Sequence, residues 1–301
     1  MSVVFDIGGT NIRLGVISCQ KQLKYFKQVK TPKTLKRFKK EISELLKPAN
    51  IQKELKVKKY LGVSLAGWID EKNNKVISSP NIPYLKNIYL KEIFPWGKDV
   101  NIYLENDANA AALAESQFGK GKNCDNFVFL TIGTGIGAGI IINRRLYKGL
   151  GLAGEIGHTQ IVFNGEKCNC GNYGCLETLS SGRVLDKYYI ELLKSNPKAK
   201  AEGIFDLAQQ GNKKAIEIVF RFISGLGVSI FNLIYLLHPD LIVLGGGLFL
   251  SNKRYILPVL KKYVNLKLRS SLYKKTKIVP TSLGERASLI GASLLKAKKR
   301  I

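Results

Sequence analysis

The chain has 301 residues, 45% of them hydrophobic, enough to furnish the core of one large domain or of two ordinary ones. Its formal net charge is +26, from 48 Lys and Arg against 22 Asp and Glu. So basic a chain first suggests nucleic acid or an anionic membrane, yet its lysines run from Lys21 to Lys299 with no basic arm and no interleaved aromatic residues. That pattern reads as a solvated surface and predicts neither partner.

In chain order, residues 3–7 form an apolar run, Gly8-Gly9-Thr10 a turn and residues 14–18 a second run, which predicts a β-hairpin closed by glycines. Residues 23–29 read as a third strand. Leu35, Phe38, Ile42, Leu45 and Leu46 fall at helical spacing after the start signal Thr31-Pro32, predicting a helix over 35–46. Residues 60–66 read as a buried strand ending at Gly67. Residues 101–104 lead through Glu105-Asn106-Asp107 into an alanine-rich helix over 108–118, an order that puts side chains at the C-terminal edge of a sheet.

Residues 127–132, the turn Gly133-Thr134-Gly135 and residues 137–142 then repeat the plan of the opening. Residues 149–174 are rich in glycine and cysteine and carry no periodicity. Helices are expected within 206–237. The longest uncharged apolar stretch there, residues 222–237, is shorter than the ~20 residues a bilayer crossing needs, and Ser224, Gly225, Gly227 and Ser229 suit a buried helix against which another backbone packs closely. A buried strand over 241–244 ends in Gly245-Gly246-Gly247, and a closing helix is expected near 285–298. The expected division is a small α/β domain of residues 1–107 plus 290–301 and a larger one of 108–289, meeting at a cleft with short crossings.

Asp6-Ile7-Gly8-Gly9-Thr10-Asn11 puts a carboxylate at a strand end and two glycines in the turn, where the missing Cβ lets backbone N–H groups approach phosphate oxygens. An ordinary hairpin turn has the same appearance. On the phosphate reading Asp6 holds the shell of a Mg²⁺ ion and Arg13 neutralises phosphate charge. Thr131-Ile132-Gly133-Thr134-Gly135 offers a second such turn; no Gly-Lys-Ser/Thr follows it and the next element is a strand, so it is neither a Walker sequence nor a dinucleotide fingerprint. With Gly245, Gly246 and Gly247, three loops are expected to converge on one nucleotide. Asn106-Asp107 sits where strand becomes helix. Either residue makes a good N-cap there, and the functional alternative makes Asp107 a general base with Asn106 holding a neighbouring hydroxyl.

His158, Cys168, Cys170 and Cys175 form the strongest local signal: three thiolates and an imidazole complete the closed tetrahedral set of a structural zinc site, whereas a catalytic zinc normally keeps one position open. Such spacing is that of a metal site and not of a disulfide framework; with an opening that lacks signal-peptide features it predicts a reducing cytoplasm. Glu155 and Glu177, anchored at the two ends of the staple, become candidate acceptors for the hydroxyls of a polyol. Cys19 and Cys124 are isolated, and His238, before Pro239, is expected at a helix C-terminus.

These residues resemble the ROK family of sugar kinases and repressors, through Asp6-Ile7-Gly8-Gly9-Thr10, Glu105-Asn106-Asp107-Ala108-Asn109-Ala110, Gly154-Glu155-Ile156-Gly157-His158 and the run from Cys168 to Glu177. The resemblance implies an actin-like, ribonuclease-H-like α/β fold whose C-terminal helix returns to the first domain. It implies an ATP- and Mg²⁺-dependent hexose kinase of the glucokinase kind with a structural Zn²⁺. Asp107 would be the base on the 6-hydroxyl, and Gly67, Asn81, Asn106, Glu155, His158 and Glu177 would bind the sugar, His158 using its second ring nitrogen. Asp6, Gly8, Gly9, Thr10, Asn11, Arg13, Thr131, Gly133, Thr134, Gly135 and the Gly245–Gly247 run would receive the nucleotide. It implies a homo-oligomer, dimer or tetramer. Kinases for N-acetylmannosamine, N-acetylglucosamine or fructose share every motif, and Trp68, where many relatives carry proline, bears on that choice. The repressor branch carries a helix-turn-helix ahead of its glycine motif; with Asp6 near the start here, the DNA-binding expectation loses its main element, and a sugar-sensing regulator stands as a further alternative.

Overall fold

The computed structural model describes residues 1–18, 22–94, 99–193, 202–269, 271 and 273–295. Cys19 and the end of the expected closing helix lie outside these. The chain opens with β1 (Ser2–Ile7), β2 (Asn11–Ile17) and β3 (Leu23–Lys30), then α1 (Leu35–Leu45) and α2 (Ala49–Lys58). Then come β4 (Tyr60–Leu65), the short strands β5 (Trp68–Asp70), β6 (Lys75–Ser78) and β7 (Ile88–Tyr89), and β8 (Asn101–Asn106), which runs directly into α3 (Asp107–Phe118). The second half holds β9 (Phe127–Ile132), β10 (Ile136–Ile142), β11 (Arg145–Tyr147), α4 (Glu177–Ser180), α5 (Gly182–Leu193), α6 (Glu202–Gln209), α7 (Lys213–Leu237), β12 (Leu241–Gly245), α8 (Gly247–Lys267), β13 (Lys277–Pro280) and α9 (Ala287–Ala292).

Local chemistry sets several boundaries. Helix α1 starts three residues after the expected signal, because Thr34 Oγ1 accepts the Arg37 N–H and so caps the first turn; Phe38, Ile42 and Leu45 then face the core. Helix α2 escaped the periodicity reading because only Ile51 and Leu55 of its ten residues are buried; Lys59, at φ 46°, ends it. Helix α7 is longer than the uncharged stretch suggested: Asn212 caps it, and Lys213, Lys214, Glu217 and Arg221 sit on its opening turns. At 25 residues it is long and apolar enough to cross a membrane, yet Phe222, Leu226, Ile230 and Leu233 are buried in the core of this part of the chain, where α6 and α8 pack against it. His238 ends it in the left-handed conformation, with its N–H on the Ile234 carbonyl, as expected of its position before Pro239.

Contacts divide the chain into two compact units. Unit 1 comprises Met1–Gln117, Lys148–Ala153 and Arg286–Ile301; unit 2 comprises Phe118–Tyr147 and Gly154–Glu285. Relative to the expected division after residue 107, all of α3 but its last residue stays with unit 1. The reason is tight backbone packing: a Cβ on Gly291 of α9 would lie 1.8 Å from the Ala110 carbonyl oxygen. Tyr60 OH also donates to the Ala292 carbonyl.

Unit 1 is built on the sheet β3-β2-β1-β4-β8, antiparallel among its first three strands and parallel from β1 through β4 to β8; β5, β6 and β7 make a small separate sheet. Unit 2 is built on β11-β10-β9-β12-β13 with the same sequence of directions. The echo read from two glycine turns therefore extends to whole sheets. In both, β1, β4, β9 and β12 are buried along nearly their full length, which is why they read as continuous apolar runs and not as alternating ones.

Candidate active site

In unit 1 the parallel strands end in register: Ile7 pairs with Leu65 and Leu65 with Asn106, so three strand ends present their following residues along one sheet edge. Asp6, 7% exposed, accepts from Ser64 Oγ at 2.8 Å and pairs with Arg13 Nη1 at 3.3 Å; Arg13 Nε donates to Gln28 at 2.9 Å. The glycine turn is pinned by the Gly8 N–H on the Asn11 carbonyl at 3.0 Å and by Thr31 Oγ1 on the Gly8 carbonyl at 2.6 Å. Asn11 Oδ1 is buried in this turn without a partner. A Cβ on Gly9 would lie 2.7 Å from Asn81 Cβ, so the turn and the Asn81 segment touch.

Gly67, at φ 153°, follows β4 with no room for a side chain, 2.6 Å from the Ser78 carbonyl. Asn106 Nδ2 donates to the Gly67 carbonyl at 3.2 Å, while its Oδ1 accepts the N–H groups of Ala108 and Asn109 at 3.0 and 3.2 Å. Asn106 is therefore the cap of α3 and also a strut to Gly67. Asp107 opens the helix beside it, its Oδ1 on the Ala108 N–H at 2.9 Å. Asp6, Gly8, Gly9, Thr10, Asn11, Gly67, Asn81, Asn106 and Asp107 thus all stand at one edge of one sheet. Glu105, one residue back, is 1% exposed; its Oε1 accepts from the Asn106 N–H and Asn109 Nδ2, and its Oε2 lies 2.7 Å from Lys148 Nζ.

In unit 2 the second and third glycine loops meet. Gly245 pairs with Thr131 across β12 and β9, and a Cβ on Gly246 (φ 91°) would lie 2.4 Å from the Ile132 carbonyl. Helix α8 begins at Gly247 with no side-chain cap, leaving N–H groups of its first turn of the kind that receive an anion. The Gly133 N–H closes onto the Gly135 carbonyl at 3.0 Å, and the Gly182 and Arg183 N–H groups reach the Gly133 and Thr134 carbonyls at 2.8 and 3.3 Å. Glu177, buried at the start of α4, takes the Ile136 N–H on Oε2 at 2.9 Å. Its carboxylate holds the strand that leaves the second turn.

The ligand atoms of His158, Cys168, Cys170 and Cys175 all lie within 4.8 Å of one another. Cys170 and Cys175 sulfurs are 3.7 Å apart, and His158 Nδ1 is 3.6 Å from Cys168 Sγ. Zn–S bonds of about 2.3 Å arranged tetrahedrally require sulfurs about 3.8 Å apart, so the four donors fit the ion. The loop is folded to suit: Cys168 N–H bonds the Asn172 carbonyl, Gly171 N–H the Cys168 carbonyl, and Gly174, at φ 68°, passes so close to Val162 that a Cβ would lie 1.8 Å from its carbonyl. Burial pushes the Cys175 thiol up to about 12 in the absence of a cation, and a bound divalent ion reverses that preference. With Nδ1 on the cluster, His158 turns Nε2 toward Glu155 Oε2, 3.9 Å away and beyond direct hydrogen bonding.

Ser64, Thr31, Gly182 and Lys148 escaped the sequence reading. Ser64 carries no local signal, since a hydroxyl within a strand is ordinary, and Thr31, read as a helix start signal, instead pins the glycine turn while Thr34 caps the helix. Glu105 was in view as part of a motif, though nothing in the letters marked it as the buried member.

Two five-stranded sheets of one design, glycine turns at their strand ends and a cysteine–histidine staple define a two-unit α/β protein of the actin-like class. The ROK family profile matches residues 2–299, and the chain belongs to the ROK family. It is 31% identical over 310 residues to a glucokinase of Thermotoga maritima, covering 98% of this chain and 96% of that one. It is also 35% identical over 234 residues to a xylose repressor of Bacillus spizizenii, covering 77% of this chain but 59% of the repressor. A ROK glucokinase of Streptomyces griseus, solved with glucose and AMPPNP, superposes with a TM-score of 0.83 at 28% identity over 98% of this chain and 99% of that one.

Proposed function

We propose that this protein is an ATP-dependent hexose kinase that phosphorylates the 6-hydroxyl of glucose, with Asp107 as general base. The observation that carries the reading is the edge of the unit 1 sheet, where Asp107, Asn106, Gly67, Asn81 and the Asp6 turn follow three strand ends in register. Full-length similarity to a glucokinase supports it.

On this reading Asn81, Asn106, Glu155, His158 and Glu177 take the remaining hydroxyls, and Asp107 accepts the proton of the 6-hydroxyl as its oxygen attacks the γ-phosphoryl group. Gly8, Gly9, Thr10 and Asn11, the Thr131–Gly135 turn and the Gly245–Gly247 run receive ATP. The unpartnered Asn11 Oδ1 suits this, since an amide flip can turn either end toward a ligand. Mg²⁺ would neutralise charge on the phosphates. Asp6, already engaged by Ser64 and Arg13, suits contact through a Mg²⁺-bound water better than direct ligation. Zn²⁺ at His158, Cys168, Cys170 and Cys175 is structural and orders the chain between Glu155 and Glu177.

A coupled assay with MgATP and a panel of hexoses tests the reading. Turnover should be highest with glucose, and Asp107→Ala should abolish it. Normal turnover in that variant would sink the assignment. A second reading, a kinase for an N-acetylated hexosamine or fructose, draws on half-buried Trp68 directly after Gly67, and the same panel decides it. A sugar-sensing regulator, suggested by the repressor relatives, predicts hexose binding without ATP consumption.

A further inference from the structure

We propose that Lys148 is a positioning residue for phosphoryl transfer, acting through Glu105 on the Asn106-Asp107 corner; the inference rests on the kinase reading above. Lys148 comes from the middle of the chain, after β11, yet belongs with unit 1. Its side chain, 17% exposed, places Nζ 2.7 Å from Glu105 Oε2 and in contact with Glu71 Oε2. Glu105 is the most deeply buried carboxylate on this edge, one residue before β8 ends at Asn106.

A carboxylate at 1% exposure needs hydrogen bonds or a cation to offset its lost hydration, and Lys148 supplies the cation at Oε2. Glu105 Oε1 is committed to the Asn106 N–H at 3.1 Å and to Asn109 Nδ2 at 3.2 Å. Asn106 in turn caps α3 through Oδ1 and braces Gly67 through Nδ2. Loss of the Lys148 charge therefore loosens the acceptor that fixes the peptide immediately before Asp107. The same lysine anchors the start of a strap in which Gly149, Gly151 and Gly154 all have positive φ, at 53°, 118° and 95°, and which leads straight into Glu155. Leu150, in the strap, is fully exposed, so apolar burial does little to hold this segment. The far end of the strap is fixed separately, by the Ala138 N–H on the Gly154 carbonyl at 2.9 Å, so the ammonium acts chiefly on the root of the base.

The test compares Lys148→Met with Lys148→Arg. Lys148→Met should lower kcat roughly 10- to 100-fold while the KM for ATP stays within about twofold, because a displacement of about 1 Å at the reacting atoms has that effect without touching the nucleotide loops. Lys148→Arg should restore most of the loss. Unchanged kcat in Lys148→Met, or a fall in kcat that only matches a loss of folded protein by thermal melting, would overturn the proposal. If Lys148→Met fails to fold, the neutral pair Lys148→Gln with Glu105→Gln takes its place, and wild-type kcat there would overturn it equally. Amide exchange separates this failure from failure of the kinase reading. Were the wild-type protein inactive on every hexose, faster exchange at Asn106, Ala108 and Asn109 in Lys148→Met would still support the positioning role, and unchanged exchange would end it.

Discussion

Units 1 and 2 carry the same five-stranded sheet, yet they hold their carboxylates differently. In unit 1, Asp6, Glu105 and Asp107 lie on the sheet strands or directly at their ends: Ser64 and Arg13 hold Asp6, the Asn106 N–H, Asn109 and Lys148 hold Glu105, and Asp107 takes the Ala108 N–H of its own helix. In unit 2 the corresponding turn between β9 and β10 has a threonine and no acid, and Glu155 and Glu177 lie outside the strands, at the two ends of an irregular segment tied to β10 by the Ala138 N–H on the Gly154 carbonyl and the Ile136 N–H on Glu177. Between those two ties stands the four-donor cluster of His158, Cys168, Cys170 and Cys175. One sheet plan thus accommodates two ways of placing a carboxylate, at a strand end or beside a segment whose four donors fit a metal ion.

The comparison breaks most easily at that staple. A structural zinc of this ligand type contributes on the order of 10 kcal/mol to local folding, far more than the few hydrogen bonds in the loop. Chelation, or Cys175→Ser, should expose residues 159–175 to protease and abolish hexose binding by calorimetry, while the unit 1 residues keep their amide protection. Hexose binding that survived metal removal would make the staple incidental to Glu155, His158 and Glu177. The next largest effect is expected at the sheet edge of unit 1. Asp107→Asn should lower kcat roughly 100- to 10,000-fold with the melting temperature nearly unchanged, since Asn106 remains as the helix cap. A variant that melted early instead would mean that Asp107 acts by holding α3.

Much of this contrast was legible in the letters because glycine turns and metal spacing are local. Gly8-Gly9, Gly133-Thr134-Gly135 and the Cys168-x-Cys170 run each state their geometry within a few residues. The strand cores were legible for the same reason, as apolar runs. What stayed hidden depended on distant partners: Ser64 reaches Asp6 across 58 residues, and Lys148 reaches Glu105 across 43, by chain numbering. Glu177 read as a free acceptor, whereas one of its oxygens is committed to the Ile136 N–H, 41 residues away. Helix α2 was missed because its partners, and not its own periodicity, hold it in place.

A third and smaller effect sharpens the contrast within unit 2. Gly246→Ala puts a Cβ 2.4 Å from the Ile132 carbonyl at a φ of 91° that alanine disfavours, so the second and third loops must part. A destabilisation of about 1–3 kcal/mol is expected, with a raised KM for ATP and an unchanged affinity for hexose. A change confined to hexose affinity would show that these loops do not serve the nucleotide.

The smallest effect is expected at Ser64, and it asks whether the unit 1 acids depend on their sheet neighbours at all. Ser64 is wholly buried, and its hydroxyl is one of two supports for the Asp6 carboxylate, the other being Arg13. Ser64→Ala removes a hydrogen bond to a charged acceptor without opening a large cavity, which should cost about 1–3 kcal/mol of stability in chemical denaturation. Because Arg13 still pairs with Oδ2, the Asp6 carboxylate keeps one of its two supports, and kcat should fall by less than with a substitution at Asp6 itself. If Ser64→Ala matched Asp6→Asn in activity, the hydroxyl would be setting the orientation of the carboxylate and Arg13 would be secondary; if it matched the wild-type protein in both stability and rate, the sheet neighbours of Asp6 would be interchangeable, and the distinction between a carboxylate at a strand end and one beside the metal cluster would rest on Glu105 and Asp107 alone.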